Sequence, residues 1–548
     1  MSNQTQQCKG CSNNFQVTSA DRDFYGKMDL PTPKFCPDCR FQQRISWRNE
    51  RVFYPRTCDN CKKNIISIYA PNSGYTVYCS TCWWGDTYDP LKYGQAYDLN
   101  RPFFEQFGEL DKRVPKLGIL NAKSTNSDYT HYSAENKDCY MIVGSLQCER
   151  CYYCYRIFYS KDVVDGYDIY KCELCYQCVG GKNLYNCDFC VNCRDCSDVT
   201  LSENCNGCSN CFGCVNLRNK QFYVFNQAHS EQEYKNKLKE IKSRPWSQAV
   251  EQFQKVRLSV PFRSTEKVNC QNSSGDQLLN CKECQDSYVY KNSEHCNYCK
   301  FGDSNKDCLD INFGDNCELN YNATNLEKNY NVMCSVLAWY NNDAAYCSLV
   351  FNSNNIFGCS GLKKQELCIL NKQYSEEEYL KLRQKIVESM KKEGTWGDFL
   401  PVNLSPFSYN ESIAHEYFPL KKEEVLARGW RWQDQIPFTT GKETKNWKDI
   451  PTDIGQVPDS ICNEILRCEK TGKNFRISRQ ELDFYRKKQL PLPRLHPDVR
   501  FAELRAQTNG HKLFDRQCAK CQKLISTTYA PSRPERVYCE QCYQAEIA

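Results

Sequence analysis

The sequence predicts a mainly β, multidomain chain: paired cysteine modules at both ends flank two tandem cysteine-rich β-solenoids, each closed by a capping helix. Three observations lead there. Residues 8–82 return at 468–542, shifted by 460 with no insertion or deletion, so the two ends are copies of one another. The middle repeats at an offset of 145, with Cys139, Cys151, Cys154, Cys172 and Cys214 landing on Cys284, Cys296, Cys299, Cys317 and Cys359. Inside the first of these copies Cys154, Cys172, Cys190 and Cys208 form a column at a spacing of 18, which Cys281, Cys299 and Cys317 repeat in the second. A fixed short period marks a solenoid, in which each coil stacks only on its neighbours.

The first module spans 1–56 and the second 57–120, the latter with an aromatic connector. Cys8, Cys11, Cys36 and Cys39 form two C-x-x-C pairs, as do Cys58, Cys61, Cys79 and Cys82, whose pairs stand 17 residues apart. Four thiolates at such spacing close a tetrahedral zinc site and leave no open coordination position, so the metal is a staple and not a catalyst. In the C-terminal copies, 461–515 and 516–548, the second quartet survives as Cys518, Cys521, Cys539 and Cys542. The first quartet reads Cys468, Thr471, His496 and Val499. Two ligands cannot close a structural site, so the expected load is about three Zn2+ per chain. Around the broken site Phe475, Asp483, Tyr485, Arg500 and Phe501 still match Phe15, Asp23, Tyr25, Arg40 and Phe41. The packing surface persists without its metal ligands.

The middle units span 121–245 and 246–392. Tyr, Val, Asn, Asp and Gly between the cysteines suit short strands and turns. The expected coil is about 18 residues long, placing Cys190 and Cys208 in one column of successive coils. Ser230 with Glu233 and Ser375 with Glu378 read as capping boxes, followed by Tyr234, Leu238 and Ile241 and by Tyr379, Leu382 and Ile386 at helical spacing. These helices are expected to cover the open solenoid ends. Residues 393–460, rich in Pro, Trp and Phe, read as a packed connector with one short helix over Lys421–Arg428, stopped at Gly429. The solenoid thiols have three readings: interior ladders of small buried groups, metal or iron–sulfur ligands, or disulfides. Loss of members between the copies, Cys175 being answered by Asn320, favours the first.

The chain has 548 residues, 40 of them cysteine, and a formal net charge of +6. No stretch of about 18 consecutive apolar residues suggests a membrane span. The opening MSNQTQQCKG lacks a charged-then-apolar leader, which together with metal-bound thiolates predicts a reducing, cytoplasmic setting. Basic residues concentrate in the terminal modules: residues 34–63 hold eight Lys/Arg against three Asp/Glu, whereas 121–228 hold ten against twelve. Arg40, Arg44 and Arg48 fall four apart on an expected helix, with Phe41 and Trp47 among them and Arg51 and Arg56 beyond. Such a face could hold phosphates and stack bases, making RNA, DNA or a ribonucleoprotein the expected partner on charge grounds, with a protein as the other expectation. An ordinary solvated helix face would look the same, and the copy keeps Arg500 but has Leu504 and Thr508.

No GxxxxGK[ST], G-x-S-x-G or HExxH occurs, and the six histidines show no ligand spacing. The carboxylates Asp162, Asp165 and Asp168 are the one enzyme-like cluster, and no small-molecule substrate is suggested. The sequence thus reads as a non-enzymatic zinc-binding scaffold or adaptor; the competing class is a metal- or redox-handling protein using solenoid thiolates for zinc, copper or iron–sulfur.

The segment CKGCSNNFQVTSADRDFYGKMDLPTPKFCPDCRFQQR resembles the small bacterial probable zinc-ribbon, treble-clef-like domain. There a knuckle, an acidic helix ending in FY and a C-P-x-C motif opening a second helix surround one zinc. With CWWGDTYDPLKYG, ILNKQYSEEEY and YNESIAHEYFPL, nearly the whole chain is similar to uncharacterised cysteine-rich proteins of small-genome bacterial lineages. The resemblance implies zinc on Cys8, Cys11, Cys36 and Cys39 and on the two other complete quartets, and it implies no activity. The chain departs from the pattern at Thr471, His496 and Val499.

Overall fold

The backbone of the middle regions advances in three-residue steps. In the computed structural model, which describes residues 3–547, Phe189, Asn192 and Asp195 have φ of 55°, 51° and 50°, and the same left-handed conformation recurs at nearly every third position of both regions. An extended strand would send residues three apart to opposite faces. A left-handed residue before each cysteine instead returns Cys190, Cys193 and Cys196 to the interior, where all three are buried. Asn and Asp tolerate this conformation best among side-chain-bearing residues. They hold many of the corners and stack on one another, as in Asn183 on Asp195 at 2.7 Å and Asn186 on Asp198 at 2.5 Å.

Four such steps make one repeat, because parallel strand pairing joins residues 12 apart: Glu149 with Lys161 and Lys161 with Glu173 in the first region, Asn342 with Asn354 and Asn354 with Glu366 in the second. The expected period of 18 is therefore corrected to 12, of which it is one and a half. Cys190 shares its column with Cys178 and Ser202, and Cys208 shares another with Cys196, as the pairings on either side fix. They are not column neighbours. Register is reinforced by alternating charge, since Lys137, Glu149, Lys161, Glu173 and Tyr185 are matched by Lys282, Glu294, Lys306, Glu318 and Tyr330 in the second region. A one-residue slip would break these Lys–Glu pairs and turn the interior out.

Each region ends in a short antiparallel hairpin, Gln221–Val224 with Gln227–Ala228 and Glu366–Ile369 with Lys372–Gln373. The helices Glu231–Lys242 and Glu376–Glu393 follow, and both capping boxes are present. A further helix, Trp246–Ser259, was not expected from the sequence. The short connector helix spans Lys422–Ala427, with Gly429 at φ 70° beyond it.

The chain forms two units that are discontinuous in sequence. One gathers Met1–Gly118, Thr265–Ile436 and His511–Phe514, so the N-terminal modules belong with the second repeat region. The other gathers Ile119–Ser264, Pro437–Gly510 and Asp515–Ala548, so the C-terminal modules belong with the first region. The two module pairs thus fall in different units, and each packs on a repeat region. The element order is mainly β, with parallel ladders in the middle and cysteine quartets at both ends.

Candidate metal centres and the ribbon faces

Three quartets, Cys8–Cys11–Cys36–Cys39, Cys58–Cys61–Cys79–Cys82 and Cys518–Cys521–Cys539–Cys542, each bring their four sulfurs within 4.8 Å of one another. The local fold explains it. Ser12, Lys62 and Gln522 follow the second cysteine of each knuckle with φ of 62°, 63° and 60°, which curls both thiols to one side. The other pair opens a helix: Cys36 is the N-cap of Pro37–Ile45 and Cys79 that of Ser80–Trp84. Sulfur separations fit a shared ion: Cys11 to Cys36 is 3.7 Å, Cys61 to Cys79 is 3.8 Å and Cys521 to Cys539 is 3.8 Å. Thiolates about 2.3 Å from a tetrahedral zinc stand about 3.8 Å apart.

Backbone N–H groups prepare the sulfurs for negative charge. Cys8, Cys58 and Cys518 each accept from the N–H of the cysteine opening the facing helix, Cys36, Cys79 and Cys539, at 3.2 Å. Burial opposes ionisation of Cys58, but the N–H groups of Cys79, Cys61 and Asn60 bring its thiol down to about 7. Burial likewise opposes ionisation of Cys518, and the N–H groups of Cys521, Cys539 and Lys520 bring it to about 6. The donor set fits a closed four-thiolate ion, which would link each knuckle to a helix start.

The fourth position of this kind is filled differently. His496 accepts through Nδ1 from the Asp498 N–H at 3.1 Å and so caps Pro497–Ala506, the place Cys36 holds in the other copy. Cys468 is buried, and Glu469 pairs with Arg494 at 3.0 Å.

The arginine stripe is corrected by the structure. Arg40 Nε meets Asp310 at 2.6 Å, and Arg44 Nη1 meets the same carboxylate at 3.1 Å. Arg44 also donates to Asn312 and Asn322 at 2.6 and 2.9 Å. Arg48 pairs with Glu50 and lies 3.8 Å over the Phe313 ring. All three guanidinium groups are buried, as is Trp47, so they face protein and not phosphate. Arg56 donates to Ala70 O and Tyr75 O and pairs with Asp59, all in the second module. Arg51 is half-buried shortly before that module.

The C-terminal copy docks with the same set. Arg500 Nε lies 3.4 Å from Asp165, whose position plus 145 is Asp310. Tyr298 donates to Asp21 at 3.0 Å and Tyr153 to Glu481 at 3.1 Å. Tyr25 meets Tyr321 edge-on at 5.8 Å, and Tyr485 meets Tyr176 at the same 5.8 Å. These partners were missed in the sequence, yet a signal existed: each docking pair joins a position retained at offset 460, in residue or in charge as with Asp21 and Glu481, to one retained at offset 145.

The interior thiols are engaged by backbone. Cys190 Sγ lies 3.4 Å from Asp188 O and 3.3 Å from Val199 O, and the same two carbonyls, two residues before and nine after, recur for its neighbours. Asn320, answering Cys175, donates to the carbonyl nine residues on and accepts from the N–H twelve on. Ser202 accepts from the Cys214 N–H in the same way. The interior positions thus accept small hydrogen-bonding groups as well as apolar ones such as Val163 and Val199, which stand in register with Cys175 and Cys211, and cysteine is one of several residues that serve. Asp162, Asp165 and Asp168 are ion-pair members, bonded to Arg150, Arg500 and Arg156.

Among the described residues no helix is long and apolar enough to cross a membrane. No protein-family model matches the chain, and comparison with curated proteins gives no match.

Proposed function

We propose that this chain is a zinc-stapled scaffold without catalytic chemistry: two β-solenoids of 12-residue coils, each closed by a helix and clamped by a treble-clef-like ribbon pair from the distant end of the sequence. The observation that carries this reading is the doubled docking set, Arg40 on Asp310 and Arg500 on Asp165, with both side chains of each pair buried. A phosphate-binding surface would hold its arginines in solvent; these are arranged to hold protein to protein. Any nucleic-acid or ribonucleoprotein partner would meet other cations. Zinc as the staple is supported by the sulfur separations, and the family resemblance points the same way.

The interior thiols count against metal handling, because carbonyls and N–H groups already engage them and Asn or Ser replaces them. Metal analysis of protein purified without oxygen tests the reading. About three zinc ions per chain are expected, one per closed four-thiolate site. Iron with sulfide, copper, or a much larger zinc content would overturn it in favour of metal handling.

A further inference from the structure

Neighbouring segments usually pack on one another, and a short connection makes that closure less costly in entropy than a long one. The N-terminal modules end at Gly118 and the first repeat region begins directly after them, yet they belong with the second region. The shared docking set cannot choose between regions, since Asp165 and Asp310, Tyr153 and Tyr298, and Tyr176 and Tyr321 are the same residues at equivalent positions. The choice has to lie where the two interfaces differ.

Two positions differ reciprocally. On the second ribbon helix Arg44 is replaced by Leu504. Arg44 meets Asp310, Asn312 and Asn322; the residues equivalent to the two asparagines are Tyr167 and Gln177, and Leu504 packs in an apolar cluster with Tyr167, Val143, Tyr155, Val179 and Phe501. At the end of the first ribbon helix Met28 is replaced by Lys488. Lys488 is buried, lies 2.9 Å from Asp188 and donates to Asn186 and Leu174 O, whereas the second region has Met333 where the first has Asp188.

We infer that Arg44 with Asn312 and Asn322, and Lys488 with Asp188, form an address code: each ribbon face fits one repeat region and rejects the other. Docked on the wrong region, Arg44 would keep a carboxylate in Asp165 but be buried against Tyr167 where Asn312 accepts from its Nε, and Lys488 would face Met333 with no carboxylate. An unpaired buried charge is strongly unfavourable, which makes the Lys488 mismatch repulsive, while a buried guanidinium short of an acceptor makes the Arg44 mismatch costly. Each ribbon thus carries one such cation, and the two sit at different positions of the face.

The inference rests on the clamp reading above, and the test separates the two. Hydrogen exchange is followed in the full-length protein over Arg479–Lys488 and Pro497–Ala506, with Pro37–Ile45 as internal reference. Lys488→Met should speed exchange in the C-terminal helices at least tenfold by stranding Asp188, and adding Asp188→Met, which recreates the second region's residue, should restore at least half of the lost protection. Leu504→Arg should likewise speed exchange, and Tyr167→Asn should partly restore it. If Lys488→Met is silent, or if neither second substitution restores protection, the code is wrong. Asp165→Asn is the control for the clamp: should it leave exchange unchanged, the docking itself fails and the code falls with it, whereas an effective Asp165→Asn beside silent Lys488→Met and Leu504→Arg rejects the code alone.

Discussion

The first cysteine module and its C-terminal copy reach the same docked arrangement by different means. In the first, four thiols converge, and Gln4–Gln7 pairs with Asn14–Val17 over four residues. In the copy only Leu466–Arg467 and Asn474–Phe475 pair. A piece of the connector compensates: Thr440 bridges Lys473, Trp447 donates to Arg467 O at 2.7 Å, and Ile450, Ile454, Val457 and Ile461 join the core around Leu466, Phe475 and Leu482. Burying four such aliphatic side chains contributes at most about 6–12 kcal/mol. Structural zinc contributes on the order of 10 kcal/mol. On the proposed zinc reading the magnitudes are comparable, so a metal in one copy and a strip of apolar connector in the other would hold the same helix pair against a repeat region.

The largest expected break between the copies comes from removing metal. A zinc chelator under reducing conditions should strip protection from Pro37–Ile45, whose N-cap is a ligand, while Pro497–Ala506, capped by His496, keeps most of its own. The first effect corresponds to loss of on the order of 10 kcal/mol of metal-linked stability. Hydrogen exchange of the two helices in one sample reads both at once. Equal loss in the two would mean that the copy depends on a metal after all.

That contrast also shows what the sequence could carry. The quartets, the duplications, the capping boxes at Ser230 and Ser375 and the missing ligands at Thr471 and Val499 were all readable, because each depends on residue type at fixed local spacing. The coil length was not, because C-x-x-C has two meanings here. In a knuckle the left-handed residue follows the second cysteine, as Ser12 follows Cys11; in the repeats one precedes every cysteine but Cys334, itself left-handed, as Asn192 precedes Cys193. Backbone conformation separates the two, and cysteine spacing does not. With interior positions every three residues, columns 12 and 18 apart both fill with cysteine, and only strand pairing picks 12. The arginine stripe misled for a related reason: helical spacing places Arg40 and Arg44 on one face without saying whether that face meets water or Asp310.

A smaller effect sharpens the comparison at the shared pair. Asp310→Asn strands both Arg40 and Arg44, whereas Asp165→Asn strands Arg500 alone. Breaking a buried pair costs about 3–5 kcal/mol, so both substitutions should lower the thermal midpoint, with the larger fall at Asp310. Local exchange over Pro37–Ile45 and Pro497–Ala506 assigns each loss to its unit. A smaller effect at Asp310 than at Asp165 would mean that the second arginine adds nothing to docking.

The smallest effect concerns His496, the residue that stands where a ligand stands in the other copy. Its Nδ1 accepts from the Asp498 N–H, a cap that the copy needs because no thiolate closes the helix start. His496→Ala should therefore cost about 1 kcal/mol, the usual worth of a side-chain N-cap, and should leave the zinc content unchanged. His496→Asn, which can offer an oxygen to the same N–H, should recover most of that loss, while His496→Cys should recover little because Thr471 and Val499 supply no partners for a metal. The two readouts separate the roles. A fall in zinc per chain with His496→Ala would show that Cys468 and His496 still hold an ion, and the copy would then be a metal site with fewer protein ligands instead of a ribbon held by its connector.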